Sequence, residues 1–156
     1  MERNLEAERG NESHKERIDR ELLELLQELR VAIPGVQVLF AFLLTIPFSQ
    51  GFSRLSDLEE MFFALSLVLA ALATGLLIAP TSSHRLNFRE GNKEWLLRSS
   101  NKLAIAGLAL LAMAICVTIF VALAVVLQPL WGISIAVLTG VWFTWFWYVM
   151  PMRRRR

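Results

Sequence analysis

Residues 103–150 read LAIAGLALLAMAICVTIFVALAVVLQPLWGISIAVLTGVWFTWFWYVM, and this run decides the fold. It contains no Asp, Glu, Lys, Arg or His. As one helix it would extend about 70 Å at 1.5 Å per residue, far beyond the ~30 Å hydrocarbon core of a bilayer. Gln128 and Pro129 interrupt it, and proline removes a backbone donor and clashes with the preceding turn. The run therefore predicts two membrane-spanning helices, 103–127 and 130–150, folded back as an antiparallel hairpin with Trp131 at its tip.

Working outward, two further uncharged stretches appear at 31–48 and 61–79. Each of the four is about 18 to 25 residues, against ~20 needed to cross the core. Hydrophobic residues make up 55% of the 156-residue chain, and mean hydropathy is +0.48, too apolar for a soluble domain of this size. In lipid the backbone must satisfy its own hydrogen bonds, so the stretches are expected to be helical. The predicted fold is all-α: an integral membrane four-helix bundle over 31–152, preceded by a cytoplasmic amphipathic helix at 14–30. Residues 1–13 form a charged tail expected to be disordered, and 153–156 a basic tail. Pro34 and Gly35 mark an irregularity in the opening turns of the first span, where proline is tolerated or kinks the junction with the preceding helix. Pro47, Ser49, Gln50 and Gly51 end that span, and Pro80 is expected to close the second.

Charge patterning sets the orientation. Lys15, Arg17, Arg20 and Arg30 precede the first span. Arg85, Arg89, Lys93, Arg98 and Lys102 lie between the second and third, and Arg153, Arg154, Arg155 and Arg156 follow the fourth. The opposite side has Arg54 alone, beside Asp57, Glu59 and Glu60. Excess Lys and Arg mark the cytoplasmic side, so both termini and the middle loop are expected in the cytoplasm. No apolar segment with a small-residue cleavage site opens the chain, so the first span is expected to act as an uncleaved insertion signal. The single cysteine, Cys116, excludes an internal disulfide.

In 14–30, Ile18, Leu22, Leu25, Leu26 and Leu29 recur at helical spacing. That stripe suits a helix lying on the membrane surface, or a short coiled-coil contact with a second copy. Gln37 is the most polar residue within a span and is expected to face another helix, as structural glue or, on a functional reading, as an ion or ligand contact. Thr45, Ser66, Thr74, Thr118, Ser134, Thr139 and Thr144 can return hydrogen bonds to the preceding turn of their own helices. Ala71 with Gly75, and Ala136 with Gly140, have the spacing of close helix packing. Trp142, Trp145, Trp147 and Tyr148 before the basic tail suggest an interfacial anchor. An aromatic cage for a cation is the alternative. Arg85, Arg89, Trp95, Arg98, Arg153 and Arg154 are candidate contacts for anionic lipid headgroups or for a protein partner, a second copy included. Nucleic acid is not expected, because topology already accounts for these charges.

Catalysis is not expected. His14 and His84 are far apart in sequence, no ligand set for zinc is present, and no phosphate-binding glycine loop occurs. No cofactor or metal site is anticipated.

The segment 24–48, ELLQELRVAIPGVQVLFAFLLTIPF, followed by a basic loop with His84 and Arg85 and by a basic tail, resembles a family of small bacterial membrane proteins, common in actinobacteria, whose domain has no assigned function. The resemblance covers most of 22–156. It implies a four-helix inner-membrane protein and supplies no active site. Some relatives carry the label sodium/proton antiporter. Such exchange ordinarily needs an ionisable carboxylate within the membrane; here Glu28, Asp57, Glu59 and Glu60 come nearest, all at the boundaries. The expected role is a membrane adaptor or accessory subunit acting through its cytoplasmic face. The alternative is a small oligomeric transporter or channel for cations or protons.

Overall fold

A computed structural model describes residues 14–86, 93–127 and 129–153. Arg89, Arg154, the tail 1–13 and residues 154–156 lie outside the described residues. Four long helices run in chain order: α1 (His14–Thr45), α2 (Asp57–Leu86), α3 (Lys93–Val126) and α4 (Pro129–Thr144). The last continues through one π-helical turn, Trp145–Val149, into a final α-helical turn, Met150–Arg153. No strand occurs among the described residues. All four helices are long and apolar enough to cross a membrane.

Two helix limits differ from the sequence reading, and a junction that it left open is continuous. The amphipathic segment and the first span form one unbroken helix, with Pro34 inside it. Pro80 does not close α2, which continues to Leu86 with the proline buried within it. α3 begins ten residues ahead of its apolar stretch, at Lys93. A proline removes one hydrogen bond, and in a long helix packed on neighbours that loss does not stop propagation.

Local chemistry sets the start of α2. Ser56 Oγ accepts from the Glu59 backbone N–H at 3.4 Å, and Glu59 Oε2 accepts from the Ser56 N–H at 2.8 Å and from its hydroxyl at 2.9 Å. This reciprocal capping satisfies donors that the first helical turn leaves orphaned. Asp57, Glu59 and Glu60 in that turn also complement the helix dipole. Between α1 and α2, short 3₁₀ turns at Ile46–Phe48 and Phe52–Arg54 reverse the chain, and Phe52 packs edge-on against Phe63 at 5.4 Å.

The core lies among α1, α2 and α3. One cluster joins Leu29 and Val36 of α1 to Ala73 and Leu77 of α2 and Ala104 of α3. A second joins Leu43 to Phe63, Ala70, Ala114 and Val121. The pairing of α2 with α3 is the most extensive. It requires a close approach at Gly107, where an added Cβ would meet Leu77 Cγ at 2.8 Å. α4 packs chiefly on α3, with Gly132 against the Phe120 carbonyl and the Tyr148 hydroxyl donating to the Ile105 carbonyl at 3.2 Å. Beyond that contact side, most of α4 is uncovered by the rest of the chain.

Candidate functional site

The helices project past their apolar stretches at one end. α1 does so by about 25 Å and α3 by about 15 Å, at 1.5 Å per residue. The stripe of α1 packs inside the chain: Leu22 and Leu29 are buried, Ile18, Leu25 and Leu26 half-buried. Leu25 and Leu29 join the cluster with Leu77 and Ala104, and Leu96 near the start of α3 is also buried. This differs from a helix lying flat on lipid or pairing with a second copy, because α2 and α3 offer the same apolar stripe a nearer partner.

A charged cleft of about 470 Å³ opens between the projecting ends of α1 and α3. Glu21, Glu24 and Glu28 line the α1 side, with Arg17; Glu94 and Arg98 line the α3 side. Arg17 pairs with Glu21 at 2.8 Å, Arg20 with Glu24 at 3.2 Å and Arg98 with Glu94 at 2.5 Å, each one helical turn apart. Glu28 makes no ion pair among the described residues. One ion pair ties the two helices together: Lys93 Nζ lies 2.7 Å from Asp19 Oδ1. Trp95 stands on α3 beside the cleft, 58% exposed.

The remaining candidates separate. Arg85 is exposed in the last turn of α2. Arg153 sits at the end of α4 with its guanidinium 5.7 Å from the Trp145 ring centroid. Trp142 meets Phe143 and Phe146, and Phe143 meets Trp147. Those four rings thus pack on one another, and Trp145 beside them meets a cation of the same helix. Gln37 points away from the core that Val36 enters, as do Pro34 and Gly35. Its expected interhelical partner is not found among the described residues. Each of the seven span hydroxyls, at Thr45, Ser66, Thr74, Thr118, Ser134, Thr139 and Thr144, returns a bond to a carbonyl three or four residues earlier at 2.7–2.9 Å. No group of three His, Cys, Asp or Glu is placed to hold a metal ion among the described residues.

The sequence reading missed the Ser56–Glu59 cap, legible as S-x-x-E before an apolar run, and the glycine contacts at 107 and 132. Of the small pairs it singled out, Ala71 and Gly75 face outward, with nothing within 4 Å of a Cβ built on Gly75. Gly140 does face α3, where an added Cβ would lie 3.5 Å from Cys116 Sγ.

No curated protein and no solved structure matches the chain. A family profile matches residues 11–151, a span that includes all four helices. The chain belongs to that family, the family of unknown function DUF6328.

Proposed function

We propose that the protein is a membrane-embedded adaptor or accessory subunit of a bacterial inner membrane, with both termini in the cytoplasm and its partner bound at the cleft between the projecting ends of α1 and α3. The observation that carries the reading is the paired projection itself. The ends of α1 and α3 continue farthest past their apolar stretches, share one cleft, are tied by Asp19 and Lys93, and display Glu21, Glu24 and Glu28 along one wall. Packed helix ends hold charged side chains at fixed spacing, which suits recognition of a segment carrying Lys or Arg. The concentration of Lys and Arg at this end, against Arg54 at the other, supports the orientation.

Ion transport through a single chain has less support. The core among α1, α2 and α3 is built from Leu29, Val36, Leu43, Ala73, Leu77 and Ala114, and Gln37 lies outside it. A photo-crosslinker placed at Trp95 in the native membrane tests the adaptor reading. One protein partner should be captured, and Glu24→Lys with Glu28→Lys should reduce that capture about tenfold or more. Capture of lipid alone, or capture indifferent to those charge reversals, would refute it. Cation or proton flux from the purified protein in liposomes would favour transport instead.

A further inference from the structure

Another large concavity of the molecule has no residue of α1 in its lining. Because α4 packs chiefly on α3, a groove of about 790 Å³ remains between α2 and α4, with α3 as its floor. Leu65 and Leu69 form one wall, Ile133 and Val137 the other, and Cys116 and Phe120 the floor. Small residues hollow it: Ala109, Ala112, Ala136 and Gly140 stand where larger side chains would close it. Its two hydroxyls are turned away, Thr144 onto the Gly140 carbonyl at 2.8 Å and Tyr148 onto the Ile105 carbonyl at 3.2 Å. The lining therefore offers a ligand apolar contact and almost no hydrogen bond, and a polar ligand would be penalised there.

Size narrows the occupant. Between Ile133 and Tyr148 the groove runs about 22 Å at 1.5 Å per residue. An extended hydrocarbon chain is much thinner than a helix of ~10 Å diameter and can lie along a groove of this length. The volume also falls within the ~300–1,000 Å³ of small-ligand sites.

Charge identifies the headgroup and its end. Asp57 adjoins Leu58, the groove residue in the first turn of α2. At the other end, Arg153 lies one turn beyond the π-helical turn that carries Tyr148. Lys102 precedes Ala109 and Cys116 at intervals of seven, on the same face of α3. Both cations are exposed.

We infer that this groove binds one acyl chain of an anionic phospholipid, with the headgroup phosphate held by Lys102 and Arg153. The site rests on the chain being membrane-spanning and is independent of the adaptor role. The opposite end, which begins beside Asp57, disfavours the same headgroup. Each basic residue near a membrane surface favours an anionic lipid by ~1 kcal/mol, so the pair selects it over a zwitterionic one by about tenfold or more.

The test is native mass spectrometry of the full chain, extracted from nanodiscs containing equal parts phosphatidylglycerol and phosphatidylcholine. The wild type should retain one phosphatidylglycerol per chain. Lys102→Gln with Arg153→Gln should abolish the preference over phosphatidylcholine. Gly140→Leu, which fills the groove, should lower retention of both lipids about tenfold, and Ala112→Phe should do the same by an independent route. Helical circular dichroism and melting like the wild type's establish that the variants fold; if a groove-filling variant does not, the charge variant decides alone. Equal retention of the two lipids by the wild type, retention unaffected by the folded variants, or a lipid-free dimer would each overturn the proposal. Recovery of folded protein in detergent-free buffer would overturn the membrane reading beneath it.

Discussion

Leu77 occupies the space that any side chain at residue 107 would need: a Cβ on Gly107 would lie 2.8 Å from Leu77 Cγ and 2.9 Å from its Cδ2. The nearest Leu77 atom is a branch point, not the tip of a flexible chain, so the whole side chain must move. Both residues are buried where α2 crosses α3. Gly107→Val should destabilise the protein by about 1–3 kcal/mol, the usual cost of overpacking. Leu77→Ala should partly rescue Gly107→Ala, and thermal melting in detergent with a double-mutant cycle measures the coupling. Gly75→Ala is the control. With open space around it, it should be neutral or stabilising by up to about 1 kcal/mol.

Gly132 sets the second close approach, and there the obstacle is backbone. An added Cβ would lie 3.1 Å from the Phe120 carbonyl oxygen and 3.3 Å from the Ala124 nitrogen. Neither atom can rotate away as a side chain would. Gly132→Val should loosen the α3–α4 hairpin and cost about 1–3 kcal/mol. Faster proteolysis between α3 and α4 would register the opening; unchanged melting and cleavage would refute the packing.

The ion pair between Asp19 and Lys93 is partly solvated, with side chains 38% and 45% exposed. Such a pair contributes about 0–1 kcal/mol. A double-mutant cycle with Asp19→Asn and Lys93→Gln should give a coupling within that range, shrinking as salt is raised. A much larger coupling would mean that the pair, more than the leucine contacts, holds the projecting ends together.

Ser100 Oγ is buried and has no hydrogen-bond partner among the described residues. An unsatisfied buried hydroxyl costs about 1–3 kcal/mol. Ser100→Ala should therefore raise the melting temperature. A loss of stability would show that the hydroxyl bonds to the preceding turn of α3 after all.

Orientation can be read from thiol accessibility in a Cys116→Ala background. A membrane-impermeant maleimide applied to intact spheroplasts should label Ser53→Cys, between α1 and α2, and leave Arg85→Cys unlabelled until the membrane is opened. The reverse pattern would invert the proposed topology and put the cleft on the other side of the membrane.

Much of this molecule was legible before folding. The uncharged stretches announced four helices, and Gln128 with Pro129 announced the hairpin. The stripe Ile18, Leu22, Leu25, Leu26 and Leu29 declared an apolar face, but not what covers it: a lipid surface, a second copy and the chain's own α3 satisfy the same periodicity. Pro80 looked like a terminator because proline lacks a donor, a local property that the packing of α2 overrides. Gln37 looked like an inward contact because its amide is polar, yet Val36 and Leu43 set the rotation of α1 and leave it outside.

What the residues alone determined is the number of apolar helices and the separation of basic from acidic ends, because burial in oil and attraction to a charged surface sum residue by residue along the chain. Only the tertiary structure decided that Leu77 meets Gly107, that α1 and α3 project as a pair, and that α4 leaves a groove beside α2. Those depend on helix rotation and on steric fit between residues far apart in the chain, and many rotations bury apolar area almost equally well.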